Sequence, residues 1–460
     1  MNMYHINFEQ PIHIHFIGIG GISMSGLAEI LLEKGFKVSG SDRESSPLTD
    51  YLKDHGALIY YGQKSSNITD TVDLVVYTAA IHEDNEEWRA AKEKKIPMLT
   101  RAQLLGQLMH NYKNPIAISG THGKTTATSM MTHILLAGET DPTISVGGIL
   151  EAIGGNIRVG KSDIFVTEAC EYTNSFLEFF PRIGIILNIE EDHLDFFKDI
   201  HDIRNSFYRF AKLLPKNGAL IINGDIENYK ELTQDLSCQI ISFGHQADCD
   251  YYAKDLSYDE KGNVSFILVK HGTERGRFQL SVTGEHNVYN ALSVIAASEL
   301  LGLSLEIIQK GLASFKGTHR RFEYKGTCNG FTIVDDYAHH PTEILATLQA
   351  AKYYPHKELW CVFQPHTYTR TKTLYKEFVS ALAHADHVVL ADIYAARETD
   401  TLGMSSAQLA EDIKNMGADA YYLPSFEEIE NFLLKHVKKD DLLITMGAGN
   451  VVNIGESLLK

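Results

Sequence analysis

The sequence predicts an α/β protein of mostly parallel sheets, divided into about three domains. Short apolar runs ending in Gly, Asp or Asn alternate with amphipathic stretches: HIHFIGIGG, LVVYTAAI, PIAISG, DIFVTEAC, IGIILNI, ALIING, FTIVDDY, ELWCVFQPH, HVVLAD and DLLITMGAG. Unbroken Ile/Val/Leu runs indicate strands buried on both faces, as in parallel sheets, and their alternation with helical patterns indicates βαβ units. Two of these runs lead straight into glycine-rich loops that open helices. The length of 460 residues is about three usual domains.

Two segments divide the series. The polar stretch HNYKNP at 110–115 precedes a fresh strand, and its Asn and Pro suit a linker. The stretch FKGTHRR at 315–321 is basic, contains Gly, and separates a helical pattern from another βαβ series. The expected domains are therefore 1–113, 114–318 and 319–460.

Composition narrows the function classes. Hydrophobic residues at 44% and charged residues at 22% suit a globular enzyme. Lys and Arg number 42 against 59 Asp and Glu, a net charge of −17. That balance argues against nucleic acid or an anionic membrane as the main partner, yet leaves room for small anions in a local basic pocket. No apolar run reaches the ~18 residues of a membrane span. The start, MNMYHINFEQ, lacks the basic and apolar regions of a signal peptide. Cys170, Cys238, Cys249, Cys328 and Cys361 are scattered, with no C-x-x-C pair. A disulfide framework or zinc ribbon is not expected, and a reducing cytoplasm is.

The first loop, GIGGISMSG at 18–26, follows the strand HIHFI and opens the helix SGLAEILLEKG. Gly18, Gly20 and Gly21 let backbone approach a diphosphate, and the helix N-terminus favours its charge. The next strand, FKVSGSD, ends at Asp42, which suits a ribose hydroxyl. Ser23 stands at the third glycine position of G-x-G-x-x-G, so the dinucleotide fingerprint is incomplete. A nucleotide diphosphate is expected, with NAD as one candidate and a plain tight turn as the bland alternative.

The second loop, ISGTHGKTT at 118–126, lies between the strand PIAI and the helix ATSMMTHILLAG. Gly120, Thr121, His122, Gly123, Lys124, Thr125 and Thr126 offer backbone N–H groups to phosphates, an ammonium to the β/γ oxygens and a hydroxyl to Mg²⁺. Ile118 occupies the first glycine of the full P-loop spacing, so this is a shortened variant expected to bind ATP. Glu168 ends the strand DIFVTE, and Asn188 ends IGIILN just before Glu190, Glu191, Asp192 and His193. Strand ends converge on the ligand in α/β proteins, so Glu168 and His193 are candidates for Mg²⁺, directly or through water.

In the third region DDYAHHPT at 335–342 ends the strand FTIV, and FQPHTYTRT at 363–371 ends the next. The pair His339-His340 lacks cysteines or regular His spacing, so zinc is not favoured. A pocket of Tyr, His and Arg suits an α-amino acid. Arg370 is the candidate carboxylate partner and a neutral His the acceptor for the ammonium.

With GIGGISMSG, GTHGKTT, NIEEDHLD, GEHNVYNAL, RRFE, DDYAHHPTE and QPHTYTRT all in order, the chain resembles the Mur ligases over about 13–450. The resemblance implies a Rossmann-like N-terminal domain for a UDP-sugar, a central P-loop ATPase domain and a Rossmann-like C-terminal domain for the amino acid. It implies ATP and Mg²⁺ as cofactors, and a cytoplasmic step of peptidoglycan synthesis joining L-alanine to the carboxylate of UDP-N-acetylmuramate through an acyl phosphate. Lys124, Glu168, His193 and Arg321 then stand in the catalytic group, with Thr125, Glu168 and His193 toward Mg²⁺. His286, Asn287 and Asn290 resemble adenine and ribose contacts. Arg321 and Asp336 resemble residues that bring the C-terminal domain onto ATP. Tyr337, His339, His366 and Arg370 are left to surround L-alanine, and Gly18, Gly20, Gly21, Ser23 and Asp42 to hold the UDP-sugar. Two departures stand out. The run Glu168-Ala169-Cys170-Glu171-Tyr172-Thr173 replaces a more acidic E-A-D-E-S-D, and Thr367 stands where some members have Arg. Lys212 lies roughly where later-acting relatives carbamylate a lysine, but reads here as solvated. Two rivals are a relative that joins a murein tripeptide to the same sugar, and an NAD-dependent dehydrogenase, which leaves GTHGKTT idle.

Overall fold

All ten of the apolar runs fold into the expected strands. The computed structural model describes residues 4–396, 398–400 and 402–460. These form two compact units, one of residues 4–190, 200–242 and 296–303, the other of 191–199, 243–295 and 304–460.

The first unit opens with β1 (His13–Ile17), α1 (Ile22–Glu33), β2 (Lys37–Asp42), α2 (Pro47–Asp54), β3 (Leu58–Tyr61), β4 (Leu74–Tyr77), α3 (Glu86–Glu93), β5 (Met98–Thr100) and α4 (Arg101–Met109). These strands pair in parallel in the order β3-β2-β1-β4-β5. The order reverses at β1, so the loop after β1 stands at a topological switch point, where open α/β sheets bind ligands. All five residues of β1 are buried. His13 and His15, two apart and so on one face, share the Ser39 hydroxyl at 2.9 Å each. Glu87, fully buried, accepts from Ser41 and Asn67 at 2.5 and 2.6 Å. A buried carboxylate is tolerated only when hydrogen-bonded in this way.

The same unit continues with β6 (Asn114–Ser119), α5 (Lys124–Ala137), β7 (Thr143–Leu150), β8 (Gly155–Arg158), β9 (Ile164–Ala169), β10 (Ile183–Ile186), α6 (Ile200–Ala211), β11 (Ala219–Asn223) and most of β12 (Gln239–Gly244). The order is β12-β11-β10-β6-β9-β7-β8. Pairing from β11 to β7 is parallel, and β8 forms an antiparallel edge.

The second unit holds β13 (Tyr251–Tyr258), β14 (Asn263–Lys270) and β15 (Thr273–Thr283), paired antiparallel, then most of α7 (Glu285–Leu300), and α8 (Leu305–Ser314). β13 and β15 carry no unbroken Ile/Val/Leu run, whereas β14 contains one, Phe266-Ile267-Leu268-Val269, that was not among the expected strands. In β15 exposed Gln279 separates buried Phe278 and Leu280, and in β13 exposed Asp255 and Ser257 alternate with half-buried positions, as expected of an antiparallel ladder with a wet face. A six-stranded sheet follows, built from β16 (Glu323–Cys328), β17 (Phe331–Asp336), α9 (Pro341–Ala351), β18 (Leu359–Phe363), α10 (Tyr368–Thr373), α11 (Tyr375–Leu382), β19 (His387–Leu390), α12 (Ser406–Asn415), β20 (Asp419–Tyr422), α13 (Phe426–His436), β21 (Leu442–Met446) and α14 (Val452–Leu458). Its order is β16-β17-β21-β18-β19-β20, parallel except for β16. Ile344, Leu348, Phe378, Leu382, Leu409 and Ile413 bring α9, α11 and α12 into one buried cluster. Ile429, Leu433 and Ile454 bring α13 and α14 into another. The sheet is doubly wound.

Candidate active site

At the first loop Gly18 has φ +84°, a conformation that favours glycine. The amides of Gly18 and Ile19 both donate to the Ser41 carbonyl, at 2.9 and 3.0 Å, which folds the loop over β2. The Gly20 amide donates to Asp42 Oδ2 at 2.7 Å, and a Cβ on Gly20 would stand 2.8 Å from the same oxygen. The other oxygen of Asp42 accepts from the Arg43 amide at 2.7 Å. Asp42 therefore caps the loop. Gly21 immediately precedes α1, and Ser23 lies exposed in its first turn. Gly26 serves packing. A Cβ there would come within 2.0 Å of Ile157 Cγ1 on β8.

The second glycine-rich loop joins β6 to α5. Gly120 has φ +146° and Gly123, the residue capping α5, φ +84°. Asn188, just past β10, clamps the turn: its Oδ1 accepts from the His122 amide at 2.8 Å and its Nδ2 donates to the His122 carbonyl at 3.1 Å. The Thr121 hydroxyl oxygen accepts from the Glu190 amide at 2.9 Å. Lys124 Nζ donates to the carbonyls of Gly120 (2.5 Å) and Thr121 (3.1 Å) and to Glu171 Oε2 (3.0 Å). Burial pushes this ammonium toward losing its proton, but Glu171 outweighs burial and holds it above the ordinary lysine value.

Thr125 and Glu168 flank one pair of glycines. A Cβ on Gly147 would lie 2.8 Å from Glu168 Oε2, and one on Gly148 would lie 3.5 Å from Thr125 Cγ2. Glu168 Oε1 also accepts from the Gly147 amide at 2.7 Å. A hydroxyl and a carboxylate are oxygen donors of the kind Mg²⁺ prefers, so this pair fits that ion. His193 belongs to the second unit, at φ +54°, with Nε2 3.8 Å from Asp192 Oδ2. Thr126 follows in the first turn of α5. Lys212 is solvent-side, 5.1 Å from the Tyr208 ring centroid and bonded to the Asp235 carbonyl at 3.2 Å.

The second unit gathers the amino-acid candidates at the ends of β17 and β18. His339 Nδ1 donates to the Tyr337 carbonyl at 3.0 Å, which leaves Nε2 as the acceptor nitrogen. Burial lowers the His339 pKa to about 4, so this imidazole is neutral at pH 7. Arg370 Nη1 donates to His366 Nδ1 at 3.2 Å, and burial followed by Arg370 lowers the His366 pKa as well. The rings of His339 and His366 lie 5.9 Å apart. His340 faces elsewhere. Its Nε2 donates to the Glu191 carbonyl at 2.9 Å, and its Nδ1 accepts from the Thr342 amide at 3.4 Å. The two histidines thus do not act as a pair. Thr367 adopts φ +67°, and its hydroxyl accepts from the Arg370 amide at 3.4 Å.

Around Tyr337 two guanidiniums gather, Arg320 at 4.9 Å and Arg321 at 5.5 Å from the ring centroid. Arg321 also pairs with Glu343 at 3.4 Å. Asp336 accepts from the Phe322 and Ala338 amides, at 2.8 and 2.7 Å, and burial raises its pKa to about 6. Asn287 donates to the Thr283 carbonyl at 2.7 Å, Asn290 donates to Asn287 Oδ1 at 3.2 Å, and His286 beside them is exposed. The sequence reading missed three acids: Glu171 on Lys124, Asp192 on Arg370, and Glu343 on Arg321. Only Glu343 carried a local signal, since it sits four residues after His339 at the start of α9.

Three family models match consecutive stretches: the Mur ligase family catalytic domain over 13–113, the Mur ligase middle domain over 118–298 and the Mur ligase glutamate ligase domain over 320–449. UDP-N-acetylmuramate–L-alanine ligases from Lachnospira eligens and Agathobacter rectalis are 61% and 59% identical, each alignment covering 100% of both chains. Among solved structures, UDP-N-acetylmuramate-alanine ligase from Thermotoga maritima aligns with a TM-score of 0.77 at 30% identity, covering 97% of this chain and 98% of that one. A murein peptide ligase from Psychrobacter arcticus aligns with a TM-score of 0.65 at 26% identity, over the same shares.

Proposed function

The chain belongs to the Mur ligase family, and from that premise we propose that it joins L-alanine to the carboxylate of UDP-N-acetylmuramate, driven by ATP. The observation that carries this reading is the clamped phosphate loop with Lys124 charged inside it, in a chain matching alanine-adding ligases from end to end. Residues 1–113 hold the UDP-sugar, 114–318 the ATP and 319–460 the amino acid. The reaction is a cytoplasmic step of peptidoglycan synthesis, where ATP and the UDP-sugar are both available.

A carboxylate resists an amine because its leaving group would be oxide. Transfer of the ATP γ-phosphoryl group to a carboxylate oxygen gives an acyl phosphate and ADP. The alanine nitrogen then attacks the carbonyl carbon, the C–O bond to phosphate breaks, and an amide and inorganic phosphate remain. The loop amides of 120–126 cradle the phosphates, and Lys124 offsets charge on the transferred group. Thr125 and Glu168, with His193 as the family resemblance implies, would hold Mg²⁺, which would supply further neutralisation of phosphate charge.

On the amine side, Tyr337, His339, His366 and Arg370 form the pocket. Among the described residues, three of the five N–H donors of Arg370 have acceptors, which leaves two for the alanine carboxylate. His339 Nε2 orients the ammonium by accepting a hydrogen bond. With a pKa of about 4 it is too weak a base to keep that proton, which passes to solvent or phosphate.

Phosphate release measured with UDP-N-acetylmuramate, ATP and Mg²⁺, with L-alanine, glycine, L-serine or a murein tripeptide added in turn, tests the reading. L-alanine should give the fastest release. Faster release with the tripeptide would transfer the assignment to the tripeptide-adding relatives.

A further inference from the structure

We propose that Glu171 is the positioning residue for Lys124, holding its ammonium over the phosphate loop before and during phosphoryl transfer. The inference rests on the ATP-ligase reading above and adds to it a residue from the run that departs from the family's acidic pattern.

An ammonium has three donors, and here all three have acceptors: the Gly120 carbonyl, the Thr121 carbonyl and the Glu171 carboxylate, whose two oxygens lie 3.0 and 3.4 Å away. Only the carboxylate brings charge. Its side chain is 2% exposed and that of Lys124 15%, so water screens the pair little. An arriving phosphate must displace some of these contacts. The neutral carbonyls are the weaker acceptors, so Glu171 keeps its bond while phosphate oxygens take the places of the carbonyls.

The chain around Glu171 is built to keep it there. Thr173 and Asn174, just beyond it, both adopt left-handed backbone, at φ 56° and 58°. Such residues persist only where surroundings fix them. Asn174 donates from its amide to the Glu171 carbonyl at 2.8 Å and accepts the Ser206 hydroxyl through its side chain. Phe176 is fully buried, stacked on Phe210 of α6 with centroids 4.8 Å apart. The segment is thereby pinned to α6, and Glu171 cannot drift from Lys124 without unmaking that contact.

The test compares the full-length unmodified protein with Glu171→Gln and Glu171→Asp, by steady-state kinetics with each substrate varied and by thermal melting. Glu171→Gln should lower kcat about ten- to a hundredfold with KM for L-alanine and UDP-N-acetylmuramate little changed. Glu171→Asp, which keeps the charge, should recover a substantial part of kcat. An unchanged kcat in Glu171→Gln, or equal losses in both variants that track a fall in Tm, would overturn the proposal. If Glu171→Gln does not fold, the double variant with Lys124→Met removes the unbalanced charge and should fold; its failure to fold would make Glu171 structural and overturn the proposal too. An unmodified protein without alanine-dependent phosphate release would sink the ligase reading and this inference together, whereas turnover indifferent to Glu171 sinks only the inference.

Discussion

Asp192 Oδ1 accepts from both Nε and Nη2 of Arg370, at 3.3 and 2.9 Å. Burial alone would raise the Asp192 pKa, but Arg370 and then His193 pull it well below the usual carboxylate range. The residue next to His193 thus orients the guanidinium proposed for the substrate carboxylate, and Arg370 in turn fixes His366. Arg370→Ala is expected to raise KM for L-alanine about ten- to a hundredfold, with KM for ATP nearly unchanged. Asp192→Asn keeps an acceptor oxygen and loses the charge, so its effect on the same constant should be smaller. Steady-state kinetics with each substrate varied decides this. Unchanged KM for L-alanine in both variants would make the pair purely structural.

Lys124→Ala should nearly abolish turnover while leaving UDP-N-acetylmuramate binding intact, because Lys124 is proposed to act on ATP, apart from the loop proposed for the sugar nucleotide. Calorimetry with the sugar nucleotide separates the two effects. Near-normal ligation by this variant would remove the loop from the mechanism.

Gly20→Val tests the first loop. A Cβ there would press on the Asp42 carboxylate that caps the loop and crowd the diphosphate approach. Weaker UDP-N-acetylmuramate binding with ATP binding spared is expected. Calorimetry with NAD and NADP on the unmodified protein supplies the contrast, and tight NAD binding without UDP-sugar binding would contradict the assignment.

His339 gives a pH signature. Its folded pKa of about 4 lies below the ordinary 6.5. Between those values the unfolded chain binds a proton that the folded chain refuses. The stability His339 contributes is therefore fully present above pH 6.5 and is lost as pH falls toward about 4. The stability advantage of the unmodified protein over His339→Gln should shrink by roughly 2–3 kcal/mol across that window. Asp336, with its raised pKa of about 6, acts with the opposite sign, so total stability will not reveal the effect and the difference between the two proteins must be read. A difference independent of pH, or an NMR titration of His339 near 6.5, would contradict it.

Both glycine-rich loops, their strands and their helices were legible because glycine at a strand-to-helix junction is a local requirement. Gly18, Gly20, Gly120 and Gly123 all stand where a turn or a close approach needs them. The strands β13 and β15 were not legible, since no unbroken Ile/Val/Leu run marks them, and β14 was passed over although Phe266-Ile267-Leu268-Val269 is such a run. Within the candidate site, Lys124, Glu168, His339 and Arg370 are proposed from motif and position. Their acidic partners could not be named that way. Glu171 reaches Lys124 across 47 positions and Asp192 reaches Arg370 across 178, and no spacing rule links such distant residues. Gly26, read as part of a phosphate loop, is instead required by Ile157, a contact only the folded chain reveals.

The most direct measurement follows one oxygen atom. UDP-N-acetylmuramate labelled with ¹⁸O in its carboxylate is incubated with the protein, ATP, Mg²⁺ and L-alanine, and the released phosphate is analysed by mass spectrometry. Attack on ATP by that carboxylate, then expulsion of phosphate by the alanine nitrogen, should leave one labelled oxygen in each phosphate, with one amide formed per phosphate. Unlabelled phosphate, or phosphate released without the amide, would contradict an acyl-phosphate ligase.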